Sequence, residues 1–430
     1  MRVIEELLRP VTIPPMALVE QRFDDTHIPV EEIPGVLREG LSRECIAGTI
    51  KPGMQVAITV GSRGVANVAL ITKTLVDFVK ERGAVPFIVP AMGSHAGATG
   101  QGQKAFIASY GVTEESMGCE IRSSMETVVL GLSENGKPVH CDANAAGADG
   151  IIVCGRVKAH TAFQGPYESG ICKMMCVGLG KQRGAATMHM DGFGQMKDEV
   201  PMFARVFLEK APILFGVGLI ENAYDRTREI CVLHRDEIMD GEPELLLRSK
   251  SYMPRILFDP LDVLIVDELG KNISGDGMDP NITGRFPTPY AQGGITANRL
   301  AVLGISKESH GSAFGCGLAD VTTRRLFDQM DFEGTYINSV TNTVTGVIKI
   351  PMVLDNDRMA IQMAIQSANY RDRKAPRIVR IVNTMELHRI LISEALLPEA
   401  LAHPQVRVVR EPEEMAFDAA GNLKDYGKLA

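Results

Sequence analysis

Apolar residues fall into two rhythms along this chain. Residues 55–60 ("QVAITV") form a short apolar run, which predicts a buried strand. The turn "GSRGVAN" follows. Residues 69–83 ("ALITKTLVDFVKERG") then place Leu70, Leu75, Val76, Phe78 and Val79 at helical spacing, with Gly83 suited to the C-cap. A second strand is predicted at 85–90 ("VPFIVP"), a loop at 91–100 ("AMGSHAGATG") and a helix at 101–111 ("QGQKAFIASYG"). This alternation is the signature of a parallel sheet with crossover helices. Further buried strands are predicted at 149–157 ("DGIIVCGRV") and 213–221 ("ILFGVGLIE").

The composition shifts near 251–260 ("SYMPRILFDP"), as expected of a linker, and "LDVLIVDELG" then opens a second α/β unit. That unit continues through "NRLAVLGIS", helices around 319–330 and 356–369, and "RIVRIVNTMELHRILIS", where strand and helix alternate again. No short-period repeat or low-complexity segment interrupts it. The expected fold is α/β: two domains, 1–255 and 262–430, with largely parallel sheets flanked by helices. The active site is expected in the interdomain cleft or at strand C-terminal ends.

At 430 residues the chain exceeds what one core supports, in keeping with two or three domains. The net charge of −8 and the lack of a Lys/Arg run give no electrostatic footprint for nucleic acid. Tryptophan is absent, which removes the best stacking platform for single strands. No apolar stretch reaches about 18 residues, so no membrane span is expected. The opening "MRVIEELLRPVTIPP" lacks a signal-peptide core. Eight scattered cysteines suit reduced thiols, and a cytoplasmic location is expected.

Chemistry concentrates in loops after strands. Arg63 follows the 55–60 strand in "GSRG", where it could grip a carboxylate with paired hydrogen bonds or simply occupy a turn. His95 follows the next strand and His160 the strand at 149–157. Two strand-end histidines could serve as proton-transfer groups on opposite faces of a small substrate; either could equally be structural. Lys173 lies in the apolar "SGICKMMC", where a lysine can become a nucleophile or attachment point, or snorkel from a helix edge. His189 is a candidate ligand for nickel, zinc or copper. Cys172 and Cys176 share a helical face but lack the further cysteines of a zinc or iron–sulfur set, which suggests small core residues. "GLGKQRG", with Gly178, Gly180 and Lys181, could cradle a phosphate, though it is not a full P-loop. No G-x-G-x-x-G motif joins an early strand to a helix, so a conventional nicotinamide site is not expected. In the second half, "DELGKNISGDGMDPNITGR" is a polar loop after a buried strand, with Lys271 and Arg285 as candidate anion binders.

"GSHAG" after one strand, "VKAH" after another, then a lysine and a further histidine in that order, resemble the nickel-dependent lactate racemase family. The most specific part is the sixteen residues from Lys173 to His189. The resemblance implies a 2-hydroxy acid racemase or epimerase with His95 and His160 as the acid/base pair. It implies a nickel-pincer nucleotide, derived from nicotinic acid, joined covalently to Lys173, with His189 completing the nickel coordination. Gly178, Gly180 and Lys181 would line the cofactor, and Arg63, Lys271 and Arg285 would hold the substrate. Separate cofactor-synthesis enzymes would be needed for maturation, and the resemblance leaves a homo-oligomer open. Two departures stand out. "FQGPYESGICK" replaces the family's shorter "GFSGG" before the lysine, and Val60 stands where the family places an aspartate before its arginine. They point to a substrate larger or more polar than lactate. The rival readings are a zinc- or iron-dependent lyase built on His95, His160 and His189, and a non-catalytic binding protein.

Overall fold

The structure is a computed structural model that describes residues 2–62, 64–369, 372 and 374–429. The chain divides into two compact units: Asp24–Met253, and Met1–Phe23 together with Pro254–Ala430. Strand β1 (Met16–Gln21) therefore belongs with the C-terminal unit, not with the residues that follow it.

The Asp24–Met253 unit is built on β2 (Gln55–Val60), β3 (Val85–Pro90), β4 (Glu120–Ile121), β7 (Gly150–Arg156), β8 (Ile213–Glu221) and β9 (Thr227–His234), in the order β4-β3-β2-β7-β8-β9. The two strands between, β5 (Thr127–Leu132) and β6 (Pro138–Asp142), form a separate antiparallel hairpin. All sheet pairings are parallel except β8 with β9. The apolar run of β2 explains its central place: Val56, Ile58 and Val60 are buried in one core with Leu75, Val76 and Val79 of the Val68–Glu81 helix. Each such side chain removed from water contributes about 1.5–3 kcal/mol.

The second unit carries β10 (Leu261–Leu269), β11 (Ala297–Ile305), β12 (Val321–Thr323), β13 (Met352–Leu354), β14 (Ile378–Ile381), β15 (Arg389–Ser393) and β16 (Val406–Glu413). Its sheet runs β13-β12-β11-β10-β14-β15-β1-β16. Strand β1 pairs antiparallel with both β15 and β16, which corrects the expected 1–255 domain. It is short, and its pairing partners lie some 370 residues away (Glu20 opposite Arg389), so no local signal betrays it. Two element expectations also shift. The helix expected over 319–330 begins as β12, and only Arg324–Gln329 is helical, started by Thr323 as N-cap. Between β14 and β15 there is no helix: the Asn383 side chain accepts from the Met385 and Glu386 amides and turns the chain directly.

Among the described residues no helix is long and apolar enough to cross a membrane. All eight cysteines are free thiols.

Candidate functional site

The strand order places a topological switch point between β2 and β7: β3 and β4 extend one way from β2, and β7 and β8 the other. There the β2–β7 ladder ends at Ile58–Ile152. Beyond it the Thr59 hydroxyl takes over, donating to the Cys154 carbonyl (3.2 Å) and accepting from its amide (2.9 Å). The loops carrying Arg63 and His160 leave these two strands, and the His95 loop leaves neighbouring β3. Met174, next to Lys173, lies across this edge: a Cβ added at Gly61 or Gly155 would come within 2.9 or 3.0 Å of its methyl carbon.

The His160 loop is held from beneath. Glu168 is fully buried and accepts from the His160 amide (2.7 Å) and the Gly165 amide (3.1 Å), while Lys250 donates to it at 2.6 Å. The His160 Nδ1 accepts from the Ala162 amide (3.0 Å), so the neutral ring carries its proton on Nε2. The ring lies 4.4 Å from that of Phe163 and 6.0 Å from that of Phe193, centroid to centroid.

Lys173 ends the helical turn Ile171–Lys173, and the chain then widens into a π-helix, Met174–Leu179. Such widened turns are often found at functional sites. The Lys173 Nζ sits 5.8 Å from the centre of the Phe163 ring. His189 ends the helix Lys181–His189. Its Nδ1 lies 2.7 Å from the Ala185 carbonyl, an acceptor only, so Nδ1 carries the proton and Nε2 the lone pair. Its ring meets Phe193 edge-on at 5.3 Å. Burial lowers the His189 pKa; the Ala185 hydrogen bond opposes this and the Lys173 charge reinforces it. Phe163 and Phe193, 6.4 Å apart, thus join His160, Lys173 and His189 into one cluster.

His95 stands at the same edge and is solvent-exposed. Its Nδ1 lies 2.6 Å from the Ser62 hydroxyl, within the Arg63 loop. Gly93 donates to the Gly178 carbonyl at 3.2 Å, which ties the His95 loop to the segment after Lys173. Arg63 itself lies outside the described residues. Its loop is anchored by Glu221, which accepts from the Ala66 amide (2.7 Å) and from Arg156 (2.6 Å).

The "GLGKQRG" stretch corrects the phosphate-cradle expectation. Gly178 packs against the Ala91 carbonyl (2.9 Å from an added Cβ) and Met174, and Gly180 against the Cys176 carbonyl. Lys181 is fully buried, bonded to the Pro90 carbonyl, to Gln103 (3.1 Å) and to Asp142 (3.2 Å). These glycines serve close packing, and this lysine points into the protein. Cys172 and Cys176 are buried, with thiol pKa values pushed well up by burial, in keeping with core residues.

Lys271 and Arg285 belong to the other unit. Arg285 is committed there, donating to Asp320 (2.9 Å) and to the carbonyls of Ala297 and Asn298. Lys271 donates to the Gly275 carbonyl of its own loop (2.8 Å) and covers the Phe314 ring at 4.1 Å. Among the described residues no three of His, Cys, Asp and Glu gather into a metal-ligand set. The sequence reading missed Phe163, Phe193 and Glu168. The two phenylalanines follow His160 and His189 by three and four residues, close in sequence to the histidines they touch.

Among solved structures, the chain resembles the lactate racemase apoprotein from Thermoanaerobacterium thermosaccharolyticum, at 13% identity and a TM-score of 0.50, over 86% of this chain and 99% of that one. It also resembles a Thermotoga maritima protein solved by structural genomics, at 12% identity and a TM-score of 0.54, over 85% and 99%. At such identity these likenesses concern the fold alone. No curated protein matches the chain. Residues 11–200 match the family described as lactate racemase N-terminal domain. That span contains both strand-end histidine loops and the whole Lys173–His189 segment, and over it the chain is similar to the lactate racemase family.

Proposed function

We propose that the protein racemises or epimerises a 2-hydroxy acid larger or more polar than lactate. The observation that carries this reading is the gathering of His160, Lys173 and His189 around Phe163 and Phe193 at the switch point. The donor set suits a lysine-tethered nickel-pincer nucleotide: an amine for attachment, and a buried imidazole whose Nδ1–H is fixed to the Ala185 carbonyl, leaving Nε2 as the metal-binding nitrogen. A ligand set with one histidine also needs no cluster of protein ligands. When bound, this cofactor supplies reversible hydride acceptance from the carbon that bears the hydroxyl.

The chain's own residues manage the proton and the pose. With Nδ1 accepting from Ala162, His160 offers its Nε2 proton to a substrate oxygen. In the tautomer that donates its Nδ1–H to the Ser62 hydroxyl, His95 presents Nε2 as the base that takes the hydroxyl proton. The roles exchange for the substrate of opposite hand. Arg63, on the loop that Glu221 anchors, would clamp the carboxylate and orient the reacting carbon. Phe163 and Phe193 keep water from the reacting face.

The test is intact mass, peptide mapping and metal content of protein produced beside the cofactor-synthesis enzymes. A mass increment on Lys173, with about one nickel per chain as a single His189 ligand requires, supports the reading. An unmodified Lys173 in such cells overturns it and moves the metal-dependent lyase and binding-protein readings to the front.

A further inference from the structure

Lys181 is in the wrong place for a phosphate ligand, yet its setting is costly for a residue without a role. It is a fully buried lysine with φ of +54°, a left-handed conformation strained for any residue with a Cβ. It lies midway between Lys173 and His189, eight residues from each. Its ammonium donates to the Pro90 carbonyl at the end of β3 and to the Gln103 side chain, and forms an ion pair with the buried Asp142. Gln103, also fully buried, has its orientation fixed by these neighbours. Lysine can only donate, so the Gln103 Oε1 must face it. The Nε2 must then face acceptors, and it donates to the carbonyls of Gly93 (2.9 Å) and His95 (3.4 Å).

The loop so held is itself strained. Ala96, Gly97 and Ala98 have φ of 54°, 69° and 51°, three left-handed residues in succession immediately after His95. Alanine gains nothing from that conformation, so the loop depends on outside contacts to keep it.

We infer that Gln103 and Lys181 are positioning residues: a buried relay that fixes the His95 loop to the segment carrying Lys173 and His189, so that the proton-transfer group and the cofactor anchor keep one geometry. This rests on the racemase reading for its catalytic meaning, but not for its structural content. Gln103→Leu removes the relay without leaving a buried charge unpaired, since Lys181 keeps Asp142 and the Pro90 carbonyl. Gln103→Glu is nearly the same shape and keeps the Lys181 contact, but cannot donate to the loop.

The experiment is amide hydrogen exchange on the full-length, cofactor-free chain, followed by kinetics of the loaded enzyme. Both variants should speed exchange over residues 92–98 by about tenfold or more, with residues 160–168 unchanged. In loaded enzyme, kcat should fall by about tenfold or more, with KM within about twofold and the Lys173 adduct retained. Wild-type exchange at 92–98 in both variants overturns the inference. Faster exchange across the whole domain also overturns it, by reducing Gln103 to a packing residue. If Gln103→Leu does not fold, Gln103→Glu carries the same comparison. If the wild-type chain turns over no 2-hydroxy acid, the exchange data still decide whether the relay exists.

Discussion

Two glycine-rich stretches follow strands in this chain and carry lysines, yet they are built in opposite ways. In the 267–285 stretch the polar groups serve the loop and its own unit. Asp279 caps the turn Pro280–Thr283, Ser306 donates to Asn272 at 2.6 Å, Lys271 bonds Gly275, and Arg285 bonds Asp320. Gly277 shows how tightly this region is interlocked: φ is +76° and a Cβ added there would collide with the Phe314 carbonyl oxygen, so no side chain fits. In the 160–189 stretch the structural work is done by buried residues that also reach other elements: Glu168 pairs with Lys250, and Lys181 with Gln103 and Asp142. His160, Lys173 and His189 instead meet around two aromatic rings. A charged residue that satisfies its own loop is framework. Charged residues held by others, and brought together, are candidates for chemistry.

The sharpest test of that contrast is Lys173→Ala against Lys271→Ala. The first should abolish the covalent adduct and lower turnover by at least about a thousandfold. The second should leave the adduct in mass spectra of the loaded protein. His95→Ala and His160→Ala should each lower kcat by about 10²–10⁴ with unchanged circular dichroism. Full activity in either histidine variant would sink its assignment.

A smaller effect is expected at the buried support. Glu168→Gln keeps a carbonyl for one amide but breaks the pair with Lys250 and leaves part of the His160 loop unheld. Destabilisation of roughly 2–4 kcal/mol is expected in urea titrations, together with about a tenfold fall in kcat. A stability loss with no change in kcat would make Glu168 framework only. On the other side of the comparison, Arg285→Met should cost about 1–3 kcal/mol, through Asp320 and two carbonyls left without a donor. The same sample should still show the adduct on Lys173.

Much of this architecture was legible because its signals are local. The apolar runs of β2, β3, β7, β8 and β10 stand out, and residues after strand ends mark the loops of a parallel sheet. That alone located His95 and His160 at one edge. What escaped was non-local. Strand β1 finds its partners near residues 390 and 410. Lys181 looks like an anion binder beside its glycines because nothing nearby in sequence tells of Pro90, Gln103 or Asp142. Arg285 resembles a substrate ligand for the same reason: Asp320 lies thirty-five residues away. Exposed and buried cations share one alphabet, and only the fold separates them.

The last expected effect is a pH dependence beneath the Lys173 turn. Glu242 is almost wholly buried and accepts from the Cys172 amide at 2.7 Å, while its other carboxyl oxygen has no hydrogen-bond partner among the described residues. Burial pushes its pKa up to about 7, against the lowering effect of the Cys172 amide and thiol. An acid whose folded pKa lies above its unfolded value binds more protons folded than unfolded. Stability is therefore fully present below about pH 4.5, the ordinary glutamate value, and declines as pH rises towards 7 and beyond. Glu242→Gln keeps an acceptor for Cys172 and cannot ionise. Its urea midpoint should hold steady from pH 5 to pH 8, while that of the wild type falls, the two separating by on the order of 2–3 kcal/mol. Parallel curves would mean that Glu242 titrates as an ordinary carboxylate and that the turn carrying Lys173 does not rest on a buried acid. Diverging curves would add Glu242 to Glu168 and Lys181 as buried charge-bearing groups that support the 160–189 stretch.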